Sequence, residues 1–350
     1  MIKKNGKNKS LSLQSMNKAE ISILLPFYNA QTTLKRALES IRQQEYSHFE
    51  CLMVDNNSSD SSSEIAREFQ KTDPRFQLIS EQKQGVVFAS NTAYKMARAK
   101  YICRMDADDI MTPNRLLLQK KYLEENPKLD VVAGLVKYIP HHENTQGFKR
   151  YVKWVNSLLS YKDIYNNRFV ESPIVNPSAM WRKEISDQYG MYKAGDFPED
   201  YEMWLRWLSK DVRIQKFPEI VLHWQDSNTR LTRTHQIYND KAFFKIKTAY
   251  LAKWLKKNNP HYPHVAVWGA SRISRQRASL LLALGITIDS YIDIHKKRDL
   301  NTPILYYQDI PEAGKIFILC YIKEEIAKKK MMDYLDNKDY VLGENYMLIS

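Results

Sequence analysis

The segments Val54-Asp55-Asn56-Asn57-Ser58-Ser59-Asp60 and Arg104-Met105-Asp106-Ala107-Asp108-Asp109 decide how this chain reads. Each closes a short apolar run, over 49–54 and 101–105. In open α/β sheets, ligands bind beyond the carboxyl ends of the strands. Carboxylates in these two places therefore face a ligand crevice. The second cluster is followed by Thr112-Pro113, an N-cap residue and a proline suited to the first helical position, which predicts a helix over 114–125. Asp106, Asp108 and Asp109 then lie in the loop before it. Clustered carboxylates repel one another unless something positive joins them, and hard divalent cations with phosphate ligands take such oxygens. A metal-bound diphosphate is the expected cargo.

Working outward, strand and helix alternate from Glu20. Strands are predicted over 21–25, 49–54, 76–79 and 101–105. Helices are predicted over 32–44, 61–70 and 87–99, the second opened by a Ser61–Glu64 capping box. This order implies a mostly parallel sheet with helices on both faces. Beyond Asp130 the pattern offers a strand over 131–136, helices over 157–169 and 203–208, and a polar loop over 223–233. A long basic helix over 241–257 carries Phe243, Ile246, Tyr250 and Trp254 on one side. Packing on its own protein is the favoured reading of that stripe, and contact with an anionic membrane is the other.

Asn258-Asn259-Pro260 breaks the helix, and alternation then restarts. Strands over 265–268, 286–292 and 316–321, with helices to Leu284 and over 324–335, form a small Rossmann-like unit. Val267-Trp268-Gly269-Ala270-Ser271-Arg272-Ile273-Ser274 keeps only the first glycine of a dinucleotide fingerprint, with Ser271 and Ser274 in the other two places. Asp293 stands near the position of a ribose-binding acid, but a structural role for this unit is favoured. The expected division is a disordered basic tail over 1–19, a catalytic α/β domain over 20–235, a linker helix over 236–260 and the Rossmann-like domain over 261–350.

Composition agrees with this division. The 350 residues leave room for two cores, and no apolar run reaches the length of a membrane span. Met1 to Lys18 is polar and lacks the apolar centre of a signal peptide, so a cytoplasmic protein is expected. The three cysteines, Cys51, Cys103 and Cys320, sit singly in apolar runs and read as buried thiols. A net charge of +13 suits anionic partners, and no nucleic-acid motif is present.

Taken together, Ile23-Leu24-Leu25-Pro26-Phe27-Tyr28-Asn29, Val54 to Asp60, Gly85 to Asn91, Met105 to Asp109 and Pro198-Glu199-Asp200-Tyr201-Glu202-Met203-Trp204 resemble the family 2 glycosyltransferases. The resemblance covers 20 to about 235. It implies a GT-A fold, an inverting transfer from a nucleotide-sugar donor, and a glycan or lipid-linked acceptor in cell-surface polysaccharide or glycolipid synthesis. It places Asp55 on the base of the donor, with UDP or dTDP expected, and Asp106 on the ribose. Asp108 would hold Mn²⁺ or Mg²⁺. Pro26, Tyr28, Gly85 and Asn91 would line the donor, and Asp200 would be the catalytic base with Glu199 beside it. Arg230 and Arg233 either clamp phosphate or form surface ion pairs. Two departures stand out: Ser90 where relatives commonly have arginine, and Ser227 where many have histidine, with His223 a weak substitute. Asp109 orients the loop or caps the next helix, and Asp60 reads as a turn residue. Peripheral membrane contact is compatible with such an acceptor. Two other readings are a nucleotidyltransferase of related fold, which would want a glycine-rich basic loop after the first strand, and a non-catalytic nucleotide-binding scaffold.

Overall fold

The computed structural model describes residues 19–141, 145–227, 235–295 and 301–350. Its first sheet has eight strands: β1 (Ile21–Phe27), β2 (Phe49–Asp55), β3 (Phe76–Ser80), β4 (Tyr101–Arg104), β5 (Ile110–Met111), β6 (Val131–Ile139), β7 (Ala179–Arg182) and β8 (Ile214–Gln225). Their order is β3-β2-β1-β4-β7-β6-β8-β5. The first four pair in parallel, as crossover helices require, whereas β7 runs antiparallel between β4 and β6. The crossovers are α1 (Leu34–Arg42), α2 (Ser62–Thr72) and α3 (Val86–Met96), followed by α4 (Arg115–Glu125) after β5.

Side-chain alternation distributes each strand between two cores. Ile23, Leu25, Cys51, Met53 and Cys103 face α1, α2 and α4, whereas Leu24, Leu52, Val54 and Ile102 face α3 and later helices. Those later helices are α6 (Tyr161–Asn167), α7 (Lys183–Tyr189) and α8 (Glu199–Leu208), whereas α5 (Gln146–Ser157) places Val152 and Val155 in the first core. Trp204 and Trp207 of α8 meet Trp181 of β7 edge to face, and all three are fully buried. This packing fixes α8 against the sheet.

Several local expectations change. The region 157–169 is not one helix: Leu158 is extended, and Ser160 opens α6 through a capping box with Asp163. The segment at His223 is not a loop but the end of β8, paired with Ile110 and Lys137. Pro218 hides that strand in the sequence, and the ladder absorbs it by a register shift that leaves Pro218 and Glu219 unpaired between Phe217 and Ile220. Ser61 makes no capping bond; Asp60 takes the Ser62 N–H instead, at 3.0 Å. Nor does Thr112 cap α4. The side chain of Gln44, at the end of α1, accepts the Leu116 N–H at 3.1 Å and donates to Thr112 O at 2.8 Å. The cap comes from 72 residues away.

The second sheet is wholly parallel. It contains β9 (His264–Trp268), β10 (Thr287–Asp293), β11 (Ile304–Tyr306), β12 (Ile318–Cys320) and β13 (Tyr346–Leu348), in the order β11-β10-β9-β12-β13. Its helices are α10 (Arg272–Ala278) and α11 (Glu325–Asp336), with Gly285 at φ 78° ending a 3₁₀ turn that extends α10. The fold class is therefore α/β throughout, with a GT-A type sheet and a Rossmann-like second one. All three cysteines are free and buried.

Between the sheets lies α9 (Asp240–Asn258). Its Phe244, Leu251 and Leu255 share one core with Phe169, Tyr201 and Leu205 of the first part and Val267, Leu281, Phe317 and Met347 of the second. Phe243, Ile246, Tyr250 and Trp254 pack half-buried against the same core. The packing reading of this helix is the one the structure shows. Lys247 is buried with it and donates to Val170 O at 2.9 Å and Ile349 O at 2.8 Å.

Gly134 offers a direct test of the β6–β8 packing. A Cβ there would lie 2.3 Å from Val221 Cγ1. Gly134→Ala should destabilise the protein by about 1–3 kcal/mol through overpacking. In urea unfolding, its pairing with Val221→Ala should cost less than the sum of the two single changes. Additive losses would remove the contact as the cause.

Candidate functional site

The carboxyl ends of β1, β2 and β4 form one rim of the first sheet. At the end of β2, Asp55 is buried and accepts the Ser58 N–H at 3.0 Å and the Ser63 hydroxyl. The loop after β1 is laced to the loop after β2: Asn29 N–H donates to Ser58 Oγ, Ser59 N–H to Asn29 Oδ1, and Gln31 N–H to Asp60 Oδ2. Asp60 thus holds the turn. Pro26 is buried in β1 opposite Val54, whereas Tyr28 stands 53 % exposed on the rim.

Asn56, a residue not singled out from the sequence, organises the neighbouring loop. Its amide donates to Glu81 O and Lys83 O, and its oxygen accepts the Gly85 N–H at 2.7 Å. Gly85 has φ 129°, a conformation that side chains other than glycine's rarely tolerate. From α3, Asn91 donates to Tyr192 O at 2.8 Å, while its buried oxygen has no hydrogen-bond partner among the described residues.

At the end of β4 the carboxylates of Asp106, Asp108 and Asp109 come together, with one oxygen of each within 4.8 Å of the others. Asp109 is buried and accepts the Gln225 N–H at 2.8 Å, which ties the acidic loop to β8. Asp106 pairs with Arg104 at 2.6 Å. Arg104 is only 2 % exposed, and a second buried guanidinium, Arg115, donates to the Arg104 carbonyl at 3.0 Å. Neither arginine was read from the sequence as part of the site. Arg104 had a signal all the same: a charge inside a buried strand must find a partner, and the acidic cluster follows it directly.

The N-terminus of α8 completes the arrangement. Its first turn carries Glu199, Asp200 and Glu202, which suits the positive end of a helix. Glu199 is buried and accepts the Tyr238 hydroxyl at 2.7 Å. Asp200 is half-buried and accepts the Tyr201 N–H at 2.7 Å. Burial pushes the Asp200 carboxyl up to about 8, with the charges of Glu199 and Asp106 adding to it and the Tyr201 N–H and Arg104 opposing. Burial also raises Glu199, against the Tyr238 hydroxyl and Arg104. Asp106 and Arg104 act on both acids, so the end of β4 and the start of α8 form one electrostatic unit. His223 lies in β8, and Arg230 and Arg233 lie outside the described residues.

A mostly parallel sheet with acids at its strand ends, a three-carboxylate cluster and an acidic helix start fit a glycosyltransferase. Residues 22–190, just under half of the chain, match the model of glycosyl transferase family 2. It is 28 % identical over 254 residues to the uncharacterized glycosyltransferase MJ1057 of Methanocaldococcus jannaschii, covering 71 % of this chain and 83 % of that one. It is 25 % identical over 237 residues to the O-antigen biosynthesis glycosyltransferase WbnJ of Escherichia coli, covering 65 % and 87 %. In fold it is similar to S. aureus TarS 1-349, solved in complex with UDP-GlcNAc. That likeness has a TM-score of 0.54 and 15 % identity, over 75 % of this chain and 70 % of that one.

The raised Asp200 carboxyl has a consequence for stability. The native state keeps this proton between the ordinary aspartate value of 3.8 and about 8, whereas the unfolded chain has released it. The group therefore favours folding less as pH rises through that window. Asp200→Asn copies the neutral form, so the variant should match wild type near pH 3 and become progressively more stable than wild type as pH rises towards 8. Parallel stability curves, measured by urea unfolding across pH, would mean that Asp200 is charged in the native state.

Proposed function

We propose that the chain transfers a sugar from a nucleoside diphosphate, UDP or dTDP, to a hydroxyl of a glycan or lipid-linked acceptor, with inversion at the sugar carbon. The observation that carries this reading is the meeting of the Asp106–Asp108–Asp109 cluster with Glu199 and Asp200 around Arg104. Donor and acceptor sites need such a junction, because the departing diphosphate and the attacking hydroxyl must lie on opposite sides of one carbon. Work on a cell-surface polysaccharide follows the likeness to the O-antigen enzyme. The proposed division keeps the transferase over 20–235, the linker helix over 236–260 and the Rossmann-like domain over 261–350.

Within this reading Asp55 accepts the ring N–H of uracil or thymine, and Pro26, Tyr28, Gly85 and Asn91 line the donor. The buried, unpartnered oxygen of Asn91 supports a polar role there. Asp106, steadied by Arg104, meets the ribose. The cluster's donor set is all oxygen, and its carboxylates converge with one paired cation behind them, so the residues present fit a hard divalent ion. Asp108 would hold Mn²⁺ or Mg²⁺ together with the diphosphate. Such an ion neutralises charge on the leaving group. Arg230 and Arg233 are proposed to reach the same phosphates.

Asp200 takes the acceptor's proton. A carboxyl poised near neutral pH is a stronger base than an ordinary aspartate, and the Tyr201 N–H fixes its orientation. Glu199, held by Tyr238, keeps a second negative charge beside it and so raises its proton affinity.

Two measurements test the assignment. Asp108→Asn should abolish the Mn²⁺-dependent part of UDP binding in a folded protein, read by calorimetry with and without the ion. Unchanged metal-dependent affinity would remove Asp108 from the site. Asp200→Asn should leave donor affinity near wild type while turnover falls by about 10²–10⁴-fold, and the product of wild type should carry the inverted anomer. A retained anomer, or normal turnover in the variant, would overturn the mechanism.

A further inference from the structure

Ile326, Ile294 and Ile273 are the most exposed large apolar side chains among the described residues, at 67, 62 and 60 %. They do not lie at random. Each follows the carboxyl end of a strand, β12, β10 and β9 respectively, and these three are neighbours in the order β10-β9-β12. The loops that carry them interlock. Gly269 N–H donates to Ile292 O at 3.0 Å, Tyr321 N–H to Trp268 O at 2.9 Å, and the Ser274 hydroxyl to Tyr321 O at 3.2 Å. The three isoleucines therefore stand at one edge of the sheet, with Ile273 and Ile326 in the first turns of α10 and α11, which pack on opposite faces of it. Half-buried Ile322 continues the apolar surface inward, with its Cδ1 3.3 Å from where a Cβ on Gly269 would stand.

This rim is where a Rossmann-like sheet would normally take a nucleotide. Here the crevice is closed by its own hydroxyls: Ser271 Oγ and Ser274 Oγ bond at 2.9 Å, and Ser274 is further engaged by Tyr321 O. What remains is an apolar patch ringed by the exposed cations Arg272, Lys323, Lys329 and Lys330. Three acids share this edge with the four cations: exposed Glu325, exposed Glu324, which accepts the Ile326 and Ala327 N–H groups, and buried Asp293, which accepts that of His295. Large exposed apolar groups gathered at one edge of a domain suit a docking surface. A rim of lysine and arginine around them matches a surface that is greasy inside and anionic at its face.

We propose that this rim seats the protein on an anionic phospholipid bilayer, with Ile273, Ile294 and Ile326 entering the acyl boundary and Arg272, Lys323, Lys329 and Lys330 meeting the head groups. It concerns a surface separate from the transferase site and stands whether or not Asp200 is the base. The basic helix α9 cannot serve this purpose, because Phe244, Leu251 and Leu255 are buried between the sheets.

Vesicle sedimentation of the full chain tests it, with UDP binding as an independent check that the transferase part is intact. Wild type should bind phosphatidylglycerol-containing vesicles and be released by salt, while vesicles of phosphatidylcholine alone bind it weakly. Combined Ile273→Ser, Ile294→Ser and Ile326→Ser should lower partition by roughly tenfold or more. Lys323→Glu with Lys330→Glu should lower it by about fivefold per charge. All five positions are exposed, so melting temperatures should stay at wild type. Equal binding by the serine variant, or no preference for the anionic lipid, would overturn the proposal. So would a wild-type dimer that the serine variant loses without any vesicle binding, since the rim would then join two copies of the chain.

Discussion

A guanidinium buried at the end of β4 is the constraint on which the site depends. Arg104 cannot leave water without a negative partner, and Asp106 supplies it at 2.6 Å. The same cation acts on Glu199 and Asp200, which reach it from a different part of the chain. Without it, the gathered acids would meet in a partly dry space with nothing to offset their repulsion. Arg115 donates to the Arg104 carbonyl and to Gln119, which stiffens the strand end.

The second dependence is mechanical. The first turn of α8 is held from behind, residue by residue. Tyr238 bonds Glu199, Phe243 stacks on Tyr201, whose hydroxyl donates to Arg168 O, and Tyr250 donates to Glu202 at 2.6 Å. Three of these partners belong to α9 or the turn that leads into it. The position of the acidic helix start therefore rests on a helix whose own burial the second sheet completes.

The parallel half of the first sheet was legible because a strand buried on both faces is written as a nearly continuous apolar run, and Ile21 to Phe27 and Phe49 to Val54 are such runs, broken only by Ser22 and Glu50. The strand-end acids were legible for the same reason, since polarity that ends such a run marks the rim. Less could be read where structure depends on distant partners. Pro218 concealed β8, whose ladder is rescued by a bulge that only its neighbour β6 makes possible. Gln44 gave no sign that it would cap a helix 72 residues on. Asn56 carries no sign in the sequence of its role, which is to fix the Gly85 loop through three hydrogen bonds. Arg104 and Arg115 were hidden among residues whose burial only the tertiary fold decides.

The core around α9 also bears on how the molecule comes apart. Withdrawing either sheet exposes Leu251 and Leu255 and leaves the Lys247 ammonium without one of its two carbonyls. A core shared in this way couples the two sheets, although each has the outline of a module. Because Tyr201 and Leu205 of α8 lie in it, damage to the Rossmann-like part would reach the helix that carries Glu199 and Asp200.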